Sequence, residues 1–172
     1  MLHPGRAAFR EPVPFRSVNV RGTPDFDPGL QRHHLLPRQV MQRGCFGTMF
    51  AVIGPHRLRF DDFRSNGLLL PATDQASVRT GMPLHRGPHR RYNEVVIARV
   101  GLIEQHWALA RLHDPESALR TALWQLGLLQ DALRRGLLSE RRRLILHARD
   151  PLGSGFDFTE LDSMAETLWS AQ

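Results

Sequence analysis

Four histidines in two pairs carry the chemistry that this sequence offers: the adjacent His33-His34, and His85 with His89 in the pattern His-Arg-Gly-Pro-His. Between the pairs lies Asn66-Gly67, which reads as a turn opening a short strand. With nine histidines in 172 residues, either pair alone arises easily by chance. The order of doublet, Asn-Gly and spaced pair is the informative feature. On an extended segment neighbouring side chains point to opposite faces, so one residue of the doublet can bind an ion while the other faces a substrate. Where a helix starts near Pro88, the His85 and His89 imidazoles can converge on the same ion from the helix entrance. Three neutral imidazoles leave coordination positions open, as a catalytic site requires, and the fourth histidine can take a proton from water. Phosphodiester hydrolysis needs these parts, together with cationic side chains that hold the phosphate backbone. A structural zinc or ordinary surface histidines are the competing readings. For Asn66 a plain turn competes with a support role, and for Tyr92 a place in the core.

These motifs resemble a known family. Arg32-His33-His34-Leu35-Leu36-Pro37, Asn66-Gly67-Leu68-Leu69-Leu70-Pro71 and Leu84-His85-Arg86-Gly87-Pro88-His89-Arg90-Arg91-Tyr92 look like the AHH branch of the HNH/endonuclease VII nucleases, over about residues 31–100. Arg32 stands where the family usually has a small residue. The resemblance implies a ββα-metal fold around one divalent ion, with Mg, Mn, Zn and Ni as the candidates. It implies that His33, His85 and His89 are metal ligands, that His34 is the general base, and that Asn66 holds the loop bearing the doublet. Arg86, Arg90, Arg91 and Tyr92 are the expected substrate-side residues, with Tyr92 placed to support the site or touch phosphate. The implied activity is endonucleolytic cleavage of DNA, RNA or both, and many members are toxin modules, which makes a cognate immunity protein a candidate partner. The alternative is a non-catalytic nucleic-acid-binding or zinc-stabilised interaction module.

Composition agrees with a polyanionic partner and excludes several mechanisms. All 23 basic side chains are arginine, so a Walker phosphate loop, a Schiff base and a lysine general base are all excluded. The formal charge is +6. Residues 1–100 hold fifteen arginines against seven acids, and residues 101–172 eight against ten, so the positive excess surrounds the histidine motifs. In the second half only Arg141-Arg142-Arg143 departs from that balance, and it reads as a solvated face. The lone Cys45 excludes an internal disulfide and a cysteine zinc site, and reads as a small buried apolar residue. No apolar run suits a signal peptide or a membrane span, so the expectation is a cytoplasmic protein or one exported by a dedicated secretion system.

The elements that must position the motifs follow from periodicity. The expected class is α+β, mainly helical, with a small ββα-metal core and added C-terminal helices. The expected parts are an irregular arm at 1–30, the nuclease core at 31–112, and a helical extension at 113–172 packed on it. Pro37 opens a short helix, Phe46–Ile53 forms another ended by Gly54-Pro55, and residues 72–84 read as loop. From Gly87-Pro88 a long helix carries Tyr92, Val96, Val100, Ile103, Trp107 and Ala110 on one face. Asp114-Pro115 caps a second, striped by Leu119, Leu123, Leu126, Leu129, Leu133 and Leu137. A short strand is expected at Leu144–His147 and a final helix near Thr159–Trp169.

Overall fold

The computed structural model describes residues 11–42, 44–87, 89–139, 144–147 and 149–152. The final helix expected at Thr159–Trp169, the arginine triplet at 141–143, Pro88 and the side chain of Cys45 lie outside the described residues.

Two strands, β1 (Leu30–His34) and β2 (Gly67–Pro71), pair antiparallel, with His33 opposite Leu68 and His34 opposite Gly67. Gly67 is required by close approach: a Cβ there would fall 2.3 Å from the Phe63 ring. Between the strands run four short helices, α1 (Arg38–Gln42), α2 (Gly47–Ile53), α3 (Pro55–Leu58) and α4 (Phe63–Asn66). The Asp62 side chain caps α4 by accepting from Arg64 N. Then follow α5 (Asp74–Thr80), α6 (Arg90–Ala110) and α7 (Pro115–Leu138). Among the described residues, no helix is long and apolar enough to cross a membrane.

The mainly helical α+β expectation holds, with local corrections. Residues 72–84 are not all loop: Thr73 accepts from Ala76 N to start α5, and Gly81, with φ of 68°, ends it in the left-handed region. The long helix starts at Arg90, because His89 has non-helical backbone angles and serves as the capping residue. Leu144–His147 is no strand; Leu144 N bonds the carbonyl of Gly136 on α7, and its side chain fills the space that a Cβ on Gly136 would need. The α6 stripe is buried from Tyr92 to Trp107, whereas Ala110 is exposed. On α7 the buried face begins at Ala118 and Ala122, with Leu119 and Leu123 only partly covered.

One apolar cluster joins Leu35, Leu36, Met49, Phe50, Val96, Val100, Ile103, Leu126, Leu133 and Leu137, and so packs α6 and α7 against each other and against the short helices that lie between the strands in sequence. The segment before β1 is tied to this core. Val13 N donates to Asp62 Oδ1 at 2.9 Å, Phe63 N donates to Val13 O at 2.7 Å, and Pro14 bridges Asp62.

Candidate metal centre and its supports

The period-two geometry of β1 divides the doublet. His33 is 3% exposed and turns toward α6, where its ring centroid lies 4.8 Å from that of His85, 5.3 Å from His89 and 5.1 Å from Tyr92. His34 turns to the other face, stacked on Phe15 and 5.9 Å from the Phe60 ring.

His33, His85 and His89 each offer a ring nitrogen, and these atoms lie within 4.8 Å of one another. His33 Nε2 is buried and has no hydrogen-bond partner. Burial holds the His33 pKa well below its usual value, and the neighbouring His85 and His89 add to this. Burial likewise lowers His85 to about 4, with His89 contributing, and lowers His89, with His147 contributing. The cluster is therefore neutral at ordinary pH and presents lone pairs, the form that binds a metal ion. Three imidazoles, one of them with an unpartnered buried nitrogen, suit a borderline-soft divalent cation and leave room for further ligands.

Each of the three histidines is held from a different part of the chain. His33 sits on β1. The His85 backbone N–H bonds the carbonyl of Pro71 at the end of β2, at 2.6 Å, and the preceding Leu84 N–H donates to the buried Asp150 carboxylate at 2.8 Å. His85 Nδ1 lies 3.3 Å from Gln31 Oε1; with the amide oxygen accepting, Nδ1 carries the proton and Nε2 the lone pair. Gln31 and His33 share a face of β1. His89 enters as the residue before α6.

His34 is half-buried, and its Nε2 is sealed without a partner. Burial lowers its pKa to about 4; Arg38 adds to this and Asp61 opposes it. It is neutral at ordinary pH and able to accept a proton.

The two residues after the doublet are pinned throughout their backbone. Leu35 N–H donates to Asn66 O at 2.8 Å, and Leu35 O accepts from the Tyr92 hydroxyl at 2.8 Å. Leu36 N–H donates to Asn66 Oδ1 at 2.8 Å, and Leu36 O accepts from Asn66 Nδ2 at 3.3 Å. Asn66 is fully buried, closes the last turn of α4 and adds a bond to Phe60 O at 3.0 Å. Tyr92 is 1% exposed with its hydroxyl already engaged, so the expected contact with substrate gives way to support of the strand end. Arg86, Arg90 and Arg91, next to His85 and His89 along the chain, are exposed.

Sequence reasoning missed Phe15, Gln31, Gln130 and Asp150. None belongs to a motif: Phe15 meets His34 from the segment read as an arm, Gln130 reaches Asn66 across 64 positions and Asp150 reaches Leu84, beside His85, across 66, whereas Gln31 alone had a signal, its period-two relation to His33.

Residues 15–126 match the family model described as AHH, a nuclease family of the HNH/ENDO VII superfamily with conserved AHH. The match includes both strands, all four histidines and Asn66, and Arg32 takes the place of the alanine. No curated protein and no solved structure matches the chain.

Proposed function

The chain belongs to the AHH family of HNH/ENDO VII nucleases, and on that premise we propose that it is a metal-dependent endonuclease that hydrolyses phosphodiester bonds in DNA, RNA or both. The observation that carries this reading is the convergence of His33, His85 and His89 donor nitrogens within 4.8 Å, one of them buried and unpartnered.

His33, His85 and His89 would hold one divalent ion. Bound there, it supplies Lewis acidity toward the scissile phosphate and the leaving oxygen. His34, neutral and on the opposite face of β1, accepts the proton of the attacking water. Because Nε2 is sealed, Nδ1 is the nitrogen assigned to this step. Asn66 keeps the strand end straight so that the imidazole points one way. Arg86, Arg90 and Arg91 hold the phosphate backbone, where the planar guanidinium can grip two oxygens at once. The resemblance extends the proposal to a toxin-type nuclease held in check by a cognate immunity protein, which co-purification with the product of a neighbouring gene tests.

A metal-by-substrate panel tests the central reading. Plasmid DNA and RNA are incubated with Mg²⁺, Mn²⁺, Zn²⁺ or Ni²⁺, with and without chelator, using the unmodified protein and His34→Ala. Cleavage is expected to need metal and to fall roughly 10²- to 10⁴-fold in His34→Ala. If that variant cleaves as fast at saturating metal, His34 is not the base. A non-catalytic zinc module would instead unfold on chelation and show no turnover.

A further inference from the structure

Resting on that reading, we propose that Gln130 of α7 is a positioning residue for the nuclease reaction, acting through Asn66 on the segment that bears His33 and His34. Gln130 is 5% exposed and interrupts the apolar face of Leu126, Leu129, Leu133 and Leu137. A buried amide is costly unless bonded, and an apolar side chain would pack there at less cost. Its Nε2 donates to Asn66 Oδ1 at 3.2 Å.

That bond completes the Asn66 amide. The oxygen accepts from Leu36 N–H and Gln130, while the nitrogen donates to Leu36 O and Phe60 O. A primary amide can turn over and exchange its donor and acceptor ends. With these partners, the turned amide would set N–H against N–H at Leu36 and Gln130 and oxygen against oxygen at the Leu36 and Phe60 carbonyls, losing all four bonds. Gln130 is thus the one side-chain partner among the four that hold Asn66 with its amide oxygen toward Leu36 N–H, two residues after His34, and it ties that amide to α7. One turn further along α7, Arg134 donates to the carbonyls of Arg64 and Ser65 at 2.7 and 3.3 Å, so the same helix face grips the whole turn carrying Asn66. Gln130 and Arg134 both lie beyond the family match, which ends at residue 126. The second half of the chain thus joins the site through a side chain as well as through packing.

The full-length, metal-loaded protein tests this with Gln130→Met, which keeps length and removes both polar ends. Turnover of a fluorogenic oligonucleotide is read well below the melting temperature, and metal binding is read by calorimetry. The expected result is a kcat lower by roughly ten- to a hundredfold, with KM and metal stoichiometry unchanged. Gln130→Leu also lacks a donor and matches the apolar face around it, and it gives the same split if the methionine variant does not fold. Leu133→Val, on the same buried face, is expected to lower the melting temperature and leave kcat unchanged. An unmodified kcat per bound metal in the Gln130 variants overturns the proposal, and so does a loss that follows metal stoichiometry. His34→Ala in the same assay separates the readings: full activity there overturns the base assignment, whereas full activity in the Gln130 variants beside an inactive His34→Ala overturns only the positioning role.

Discussion

The Phe15 ring lies parallel to the His34 imidazole, with centroids 3.7 Å apart and planes inclined by 2°. The edge of Phe63 closes against Phe15 at 5.1 Å, and Arg32 holds the Phe15 carbonyl at 2.9 Å. Arg32 is the residue by which this chain departs from the alanine of its family, and its guanidinium clamps the segment that covers His34. The ring wall restricts rotation of an imidazole that has no hydrogen bond at Nε2. Phe15→Ala is expected to cost about 0.5–1.5 kcal/mol beyond lost burial. It should also lower kcat several-fold with little change in metal affinity, as single-turnover cleavage and calorimetry will show.

Tyr92→Phe leaves the Leu35 carbonyl without a partner inside the core. The loss of stability should be about 1–3 kcal/mol, read as a lower urea midpoint at unchanged slope. Because the hydroxyl is buried, substrate KM should stay as it is. A raised KM with unchanged stability would return Tyr92 to the substrate side.

Gln31→Leu removes the acceptor facing His85 Nδ1 and frees the ring to take the other tautomer. Metal affinity should fall roughly 10- to 100-fold while the fold is kept, measured by calorimetry with circular dichroism as the check. His85→Ala should lose more, because it removes the ligand itself.

Acid should unfold the metal-free protein early. His34 and His85 titrate near 4 in the folded chain, and His33 also lies well below its usual value. In the unfolded chain these imidazoles titrate near about 6.5. The unfolded state therefore binds more protons between these values, and the histidines' contribution to stability is complete above about pH 6.5 and lost as pH falls toward 4. A melting temperature that stays flat from pH 7 to 4.5 in chelator would contradict this burial.

Local order was legible in the residues themselves. A 3.6-residue repeat of large apolar side chains specifies α6, and Asp114-Pro115 specifies where α7 begins, because capping and periodicity are short-range. The two-residue period of a strand sends His33 and His34 to opposite faces, as the ring contacts show. The loop expectation at 72–84 failed over α5, a seven-residue helix too short for periodicity to reveal.

By itself, the sequence determined which histidines form an ordered set, the helices that frame them, and the exclusion of lysine chemistry. Only the tertiary structure decided that Phe15 stacks on His34, that Asp150 steadies the His85 loop, and that Gln130 completes Asn66 across 64 positions. Such contacts have no signature at fixed spacing. They depend on how α7 and the segment before β1 pack against the strand pair, and that is settled by burial of the shared apolar cluster, not by any local run of residues.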